Sequence, residues 1–381
     1  MQFSEIIGQG EVKSMLVRSA DGGRVSHAQL FTGDAGMGTL PLALAYAQYL
    51  NCTGRREGDA CGVCAACIKM KALAHPDLHF VFPVNGPKGK SGSEKPLSDF
   101  FMPQWRELVQ QTGGYFDEQQ WYEAIEIDNQ QGLITRNEAD EVIRKLSFKA
   151  YEGRYKIMII WLPERMRNEA ANTLLKILEE PWERTVFLLV SENPARLLPT
   201  ILSRTQEVAV PRIGQADLEH FLVTKYGMEA AHASTVARLS GGDALAAARL
   251  VAAERDGATE EYFDLFVELM RLSYNDRHIE LLEWAEATAG LGREQQKQFL
   301  ENAVRLLRNS YMLNAGMEEI AYLWGKELAF CRNFSPYIGN HNIEPLVREM
   351  ELAAAQVGQN GNPKLIFSHF ALAVSKMIVR V

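Results

Sequence analysis

Three groups of residues have the types and spacing to do chemistry. Cys52, Cys61, Cys64 and Cys67 lie within sixteen residues as a C-x8-C-x2-C-x2-C array. Four soft thiolates this close can converge on one tetrahedral Zn²⁺, and the C-x2-C pairs have the spacing of metal knuckles. A closed four-sulfur site leaves no position for water, so zinc there would be structural. A redox-sensitive loop is the other chemistry such an array allows. His75 and His79 follow soon after, but with four thiolates at hand they read as bystanders. Cys331 is isolated among apolar residues and reads as a small core side chain.

The second group is Gly33-Asp34-Ala35-Gly36-Met37-Gly38-Thr39-Leu40, which stands where Gly-x4-Gly-Lys-[Ser/Thr] would form a phosphate-binding loop. Gly33, Gly36 and Gly38 can build the backbone nest. Thr39 replaces the lysine that meets the phosphates, and Leu40 replaces the hydroxyl that ligates Mg²⁺. After the apolar run Ile157–Ile160, Trp161 and Leu162 stand where an aspartate and a glutamate would hold the metal and orient water. Losing all four groups together argues against ATP hydrolysis. The segment is then a decayed nucleotide loop or a plain glycine-rich turn, with nucleotide binding through backbone N–H groups left open. The third group is Ser203-Arg204-Thr205. An arginine there can reach a neighbour's phosphate as an arginine finger, or simply lie solvated on the surface.

These groups need elements to position them. Ala28–Thr32 is expected as a buried strand, with a helix over Leu40–Leu50 after the glycine loop. Further strands are predicted over Leu78–Phe82, Lys156–Trp161, Thr185–Val190 and Glu207–Val210. Helices are predicted over Glu11–Ala20, Asn137–Leu146 and Glu169–Leu178, the last stopped by Pro181. Such alternation implies βαβ units and a parallel α/β sheet covered on both faces. Residues 84–104, rich in Gly, Lys, Ser and Pro, are expected as a mobile surface insertion. Beyond Pro211 the pattern turns helical, with short helices over Asp217–Tyr226, Ala230–Leu239 and Ala244–Ala253. Longer ones follow over 260–273, 278–288, 293–313, 317–332, 343–357 and 363–380.

A length of 381 residues suits two or three domains. The pattern divides them near residues 212 and 258. The net charge of −8 is shared by both halves and argues against a protein that coats nucleic acid. A local exception is Arg144, Lys145, Lys149, Arg154, Lys156, Arg165 and Arg167, which face only Glu152 and Glu164 within 144–167. That cluster can track DNA phosphates without reading sequence, or be a solvated face at a subunit contact. No apolar run approaches the length of a membrane span, and the first residues lack a secretory pattern, so a cytoplasmic protein with no membrane partner is expected.

Several motifs then occur in a family order: Ser26-His27-Ala28-Gln29-Leu30-Phe31-Thr32-Gly33, the four-cysteine insertion, His75-Pro76-Asp77 and Gly153-Arg154-Tyr155-Lys156-Ile157. Ala171-Asn172-Thr173-Leu174-Leu175-Lys176-Ile177-Leu178-Glu179-Glu180-Pro181 and Leu202-Ser203-Arg204 complete the series. Over residues 1–210 the chain resembles the AAA+ clamp-loader family of bacterial DNA polymerase III, on its delta-prime branch. The resemblance implies an AAA+ (P-loop NTPase-like) domain over 1–212 with the zinc module at 52–67, a lid over 213–258 and an oligomerising collar over 259–381. It implies gamma/tau and delta subunits as partners, with the sliding clamp and primed DNA engaged through the complex. It further implies that Arg204, with Ser203 beside it, acts in trans on ATP held by a neighbouring gamma/tau subunit, Thr205 replacing the usual cysteine. Ala246 falls near the place of the family's second sensing arginine. Bound ATP and intrinsic ATPase activity are not expected. A gamma/tau-like ATPase with an unusual loop and a free-standing zinc protein that binds nucleic acid are the competing readings.

Overall fold

The computed structural model describes residues 1–85, 96–127, 131–255, 258–317, 323, 325–359 and 361–378. The chain forms two compact units, Met1–Ala248 and Arg249–Val381.

The first unit is built on a five-stranded parallel sheet. Its elements run α1 (Gly10–Asp21), β1 (Ala28–Thr32), α2 (Thr39–Asn51), α3 (Ala65–Lys71), β2 (Leu78–Val81), α4 (Met102–Thr112), α5 (Glu118–Ala124) and α6 (Arg136–Ser147). Then come β3 (Lys156–Trp161), α7 (Asn168–Glu179), β4 (Thr185–Ser191), α8 (Pro199–Leu202), β5 (Gln206–Ala209), α9 (Gln215–Tyr226), α10 (Ala230–Leu239) and α11 (Ala244–Arg255). The strand order is β2-β3-β4-β1-β5, and every pairing is parallel.

Successive strand residues point to opposite faces, and both faces are apolar because helices cover both. Ile157, Ile159 and Trp161 join α2 in one core. Met158 and Ile160 join Ala139 and Val142 of α6 and Leu174 and Leu178 of α7 in the other. α2 is buried along its whole length, which explains its almost entirely apolar sequence. β1 lies between β4 and β5, so the glycine loop leaves the carboxyl end of an interior strand, where ligands of open α/β sheets are bound.

The expected surface insertion is different in its described part. Residues 86–95 lie outside the described residues, but Ser98 and Phe101 are buried, and α4 and α5 follow. The reason is aromatic content: Phe101, Trp105, Phe116 and Trp121 cannot stay in water and pack into the sheet's core.

The second unit is helical: α12 (Ala258–Tyr274), α13 (His278–Ala289), α14 (Arg293–Asn314), α15 (Gly325–Phe334), α16 (Ile343–Gly358) and α17 (Pro363–Met377). Its core includes Phe266, Trp284, Phe299, Phe367 and Cys331. Burial pushes the Cys331 thiol up to about 11, as suits a core residue. Of the helix expected over 317–332, the described part is Gly325–Phe334; residues 318–322 and 324 lie outside the described ones. Among the described residues no helix is long and apolar enough to cross a membrane.

Candidate functional site

The four cysteines converge. Their sulfur atoms all lie within 4.8 Å of one another, and Cys61 Sγ and Cys67 Sγ are 3.9 Å apart. Metal–sulfur bonds of about 2.3 Å in a tetrahedron require sulfurs about 3.8 Å apart, so this donor set fits one zinc ion. The chain also supplies supporting N–H groups. Gly54 and Cys61 donate to Cys52 Sγ (3.4 and 3.2 Å), Cys64 donates to Cys61 Sγ (3.4 Å), and Cys67 donates to Cys64 Sγ (3.4 Å). Such donors stabilise thiolates. Burial opposes ionisation of Cys64, but N–H groups of Thr53 and Cys67 bring it down to about 6. The module is tied to the start of the chain, since Phe3 and Ser4 donate backbone N–H bonds to Asp59 (2.9 Å each) and Gln2 Nε2 donates to Ala60 (2.6 Å). His75 is buried and donates nothing to the sulfurs. Its Nδ1 accepts from the Asp77 N–H, and burial lowers its pKa. Asp77 in turn accepts from the N–H groups of Tyr151, Glu152 and Gly153 (2.6, 2.9 and 2.6 Å), which accounts structurally for the His75-Pro76-Asp77 motif.

The glycine loop is present but filled. Gly38 sits at φ +90°, and a Cβ there would lie 3.0 Å from the Tyr115 hydroxyl. A Cβ on Gly36 would lie 1.6 Å from Asp243 Oδ1, so only glycine fits against that carboxylate. Asp243 caps α11, accepting from Leu245 and Ala246 (2.8 and 2.9 Å). Thr39 and Leu40 are both buried. Trp161, at the expected place of the Mg²⁺-binding carboxylate, is 2% exposed. Its ring centroid lies 5.3 Å from Trp105 and 5.2 Å from Phe116, and Trp121 and Phe82 extend the same cluster. Trp161 and Leu162 thus belong to a core to which the segment Phe101–Trp121 contributes its aromatic side chains.

The charge around this loop is negative. Glu164 accepts from the N–H groups of Glu192 and Asn193 (2.9 Å each). Burial first, then the carboxylates of Glu164, Asp117, Glu118 and Asp34, push Glu192 up to about 8. A folded pKa above the unfolded value of about 4.3 means that stability from this group is complete below pH ~4 and lost as pH rises towards 8. Glu192→Gln is therefore expected to stabilise the chain at pH 8 by on the order of 2 kcal/mol, with no gain at pH 4.5. Urea melts at the two pH values check this, and an equal gain at both would refute it.

Arg204 lies at the end of α8 and is folded back on its own chain. Its Nε and one terminal nitrogen both donate to Glu179 Oε2 at 3.1 Å. The other terminal nitrogen donates to the Thr200 carbonyl (3.1 Å) and to Ser203 Oγ (3.3 Å).

The sequence model of the family described as DNA polymerase III, delta subunit, matches residues 8–213, more than half of the chain and all of the motifs above. The chain belongs to this family. A DNA polymerase III subunit delta' from Pseudomonas aeruginosa is 34% identical over 232 residues, covering 60% of this chain and 57% of that protein. A subunit delta' from Yersinia pestis is 28% identical over 358 residues, covering 89% of this chain and 92% of that one. A subunit gamma/tau from Mycobacterium bovis is 28% identical over 203 residues, covering 53% of this chain and 27% of that protein. The chain thus spans little more than half of the first of these relatives and about a quarter of the last.

Within this delta-family chain four of the seven cations of the basic cluster at 144–167 make contacts inside the chain. Arg144 pairs with Glu141, Lys145 with Asp99 (2.6 Å) and Arg165 with Glu118. Lys156 is buried and donates to the carbonyls of Leu146 and Phe148. Tyr115, Asp243 and Glu179 went unremarked as parts of the sites. The Phe and Trp density over 100–121 and the Gly-Gly-Asp cap before α11 were the available signals for the first two.

Proposed function

We propose that this chain is a non-hydrolysing, delta-prime-like AAA+ subunit of a DNA polymerase III clamp loader. In this reading it assembles with gamma/tau and delta subunits, helps place the sliding clamp on primed DNA, and supplies Arg204 to ATP held by a neighbouring gamma/tau subunit. The observation that carries the reading is the filled glycine loop. Tyr115 and Asp243 crowd its glycines, Trp161 and its aromatic neighbours take the catalytic positions, and Asp34 in the loop is one of a group of neighbouring carboxylates. A polyphosphate would meet negative charge with no lysine and no metal ligands to offset it. Arg204, by contrast, lies part-exposed beside Glu179, where a partner's phosphate can reach it.

Zinc bound by Cys52, Cys61, Cys64 and Cys67 would serve structure: four sulfurs leave it no open position for catalysis. The division into an α/β domain over 1–212, a lid over 213–258 and a collar over 259–381 belongs to the same proposal, as does a cytoplasmic location. The gamma/tau relatives keep a second reading in view, that of an ATPase with an unusual loop, but the crowded loop speaks against it. Titrating the isolated chain with a fluorescent ATP analogue and Mg²⁺, and assaying its turnover, separates the two. No binding up to millimolar nucleotide and no turnover are expected. Turnover abolished by altering residues 33–40 would establish the ATPase instead.

A further inference from the structure

Every nitrogen of the Arg204 guanidinium is engaged within its own chain, and the strongest acceptor is Glu179, the last residue of α7. We propose that Glu179 is a positioning residue that parks Arg204 and competes for it with the phosphates of Mg·ATP on a neighbouring subunit. This rests on the arginine-finger reading above.

The geometry fits a latch more than a structural bridge. Two of the three guanidinium nitrogens converge on a single carboxylate oxygen, Glu179 Oε2. The Glu179 side chain is 60% exposed and that of Arg204 30%. Exposed pairs of this kind contribute little to stability, so the latch opens at small cost. A triphosphate carries more charge than one carboxylate and offers oxygens that suit the same planar fork. Thr200 and Ser203 act on the third nitrogen and bear no charge, so they orient the guanidinium without competing for it electrostatically. Glu179 lies in the Leu-Leu-Lys-Ile-Leu-Glu-Glu-Pro stretch and Arg204 in the Ser-Arg pair. The two motifs therefore meet at one ion pair.

The cost of opening the latch falls on the nucleotide-bound ground state and the transition state alike. Removing it should therefore lower KM for ATP rather than raise kcat. The test uses the complex reconstituted from full-length chain with gamma/tau and delta subunits, comparing wild type, Glu179→Gln, Arg204→Ala and the double variant. Glu179→Gln is expected to lower KM for ATP about two- to fivefold with kcat within twofold, the upper figure matching the strongest exposed ion pairs. In the Arg204→Ala background the same substitution should change nothing. An unchanged KM in Glu179→Gln, with Arg204→Ala still slowing turnover, would overturn the latch and leave the finger standing. A Glu179→Gln effect that persists without Arg204 would also overturn it. If Arg204→Ala itself has no effect, the finger reading fails and the latch with it.

Discussion

On the proposed finger role, replacing Arg204 with alanine is expected to slow ATP turnover at one neighbouring site by about 10³-fold or more, the range of arginine fingers that complete a phosphoryl-transfer site. A complex with several ATPase subunits would lose the share of steady-state turnover carried by that site. Loading of the clamp on primed DNA would fall further if every site must fire. Assembly should survive, because the guanidinium of Arg204 bonds to Glu179, Thr200 and Ser203 of its own chain in surface contacts of small energy. Arg204→Lys is a useful second variant: it keeps the charge but loses the planar fork, and should recover only part of the rate. Size-exclusion chromatography confirms the assembly, and ATPase and clamp-loading assays on the same fraction read the effect. An unchanged rate in an intact complex would remove the finger role.

Stripping the metal should have the largest effect on the chain itself. Structural zinc sites bind with apparent free energies of about 10–16 kcal/mol at neutral pH, and much of that is folding energy. Here the cost is partly offset, because Cys52, Cys67 and Ala60 also belong to the main core beside α2. Destabilisation by several kcal/mol is therefore expected, rather than loss of the whole domain. The damage should spread to the first residues, since Phe3 and Ser4 hang on Asp59 and Gln2 on Ala60. Elemental analysis should find about one zinc per chain, and Cys64→Ser should lower it. Chelation should speed amide exchange over residues 1–6 and 52–71 before the sheet is affected. A metal-free chain of undiminished stability would exclude the structural zinc.

The local chemistry of the chain could be read directly from neighbouring residues. The strand limits Ala28–Thr32 and Lys156–Trp161 follow from short apolar runs between turn signals, and the structure reproduces both. The four-cysteine array is legible because its ligands are held by one short loop and one helix turn, so sequence spacing nearly sets their distance in space. The glycine loop is legible for the same reason, as is the absence of a lysine after it. The end of the segment 84–104 differs from the expected surface insertion because the aromatic residues that begin at Phe100 and Phe101 outweigh its turn-forming composition. Whether those aromatics are buried depends on what the sheet presents to them.

What linear order could not decide is which distant groups meet. Asp243 against Gly36, Tyr115 over Gly38 and Trp161 among Trp105 and Phe116 join segments from tens to about two hundred residues apart. Of the cations of residues 144–167, Arg144, Lys145 and Arg165 looked free until Glu141, Asp99 and Glu118 were placed beside them. Arg204 looked like a projecting side chain until α7 brought Glu179 to it. Residue types alone show that Thr39, Leu40, Trp161 and Leu162 stand where a phosphate site would carry a lysine, a hydroxyl and two carboxylates, and that four thiolates are available. Only the packing sets Tyr115 and Asp243 against the loop's glycines and Glu179 against Arg204. The reason is physical: burial and pairing are properties of the space between elements, and the sheet order that creates that space joins strands far apart in the chain.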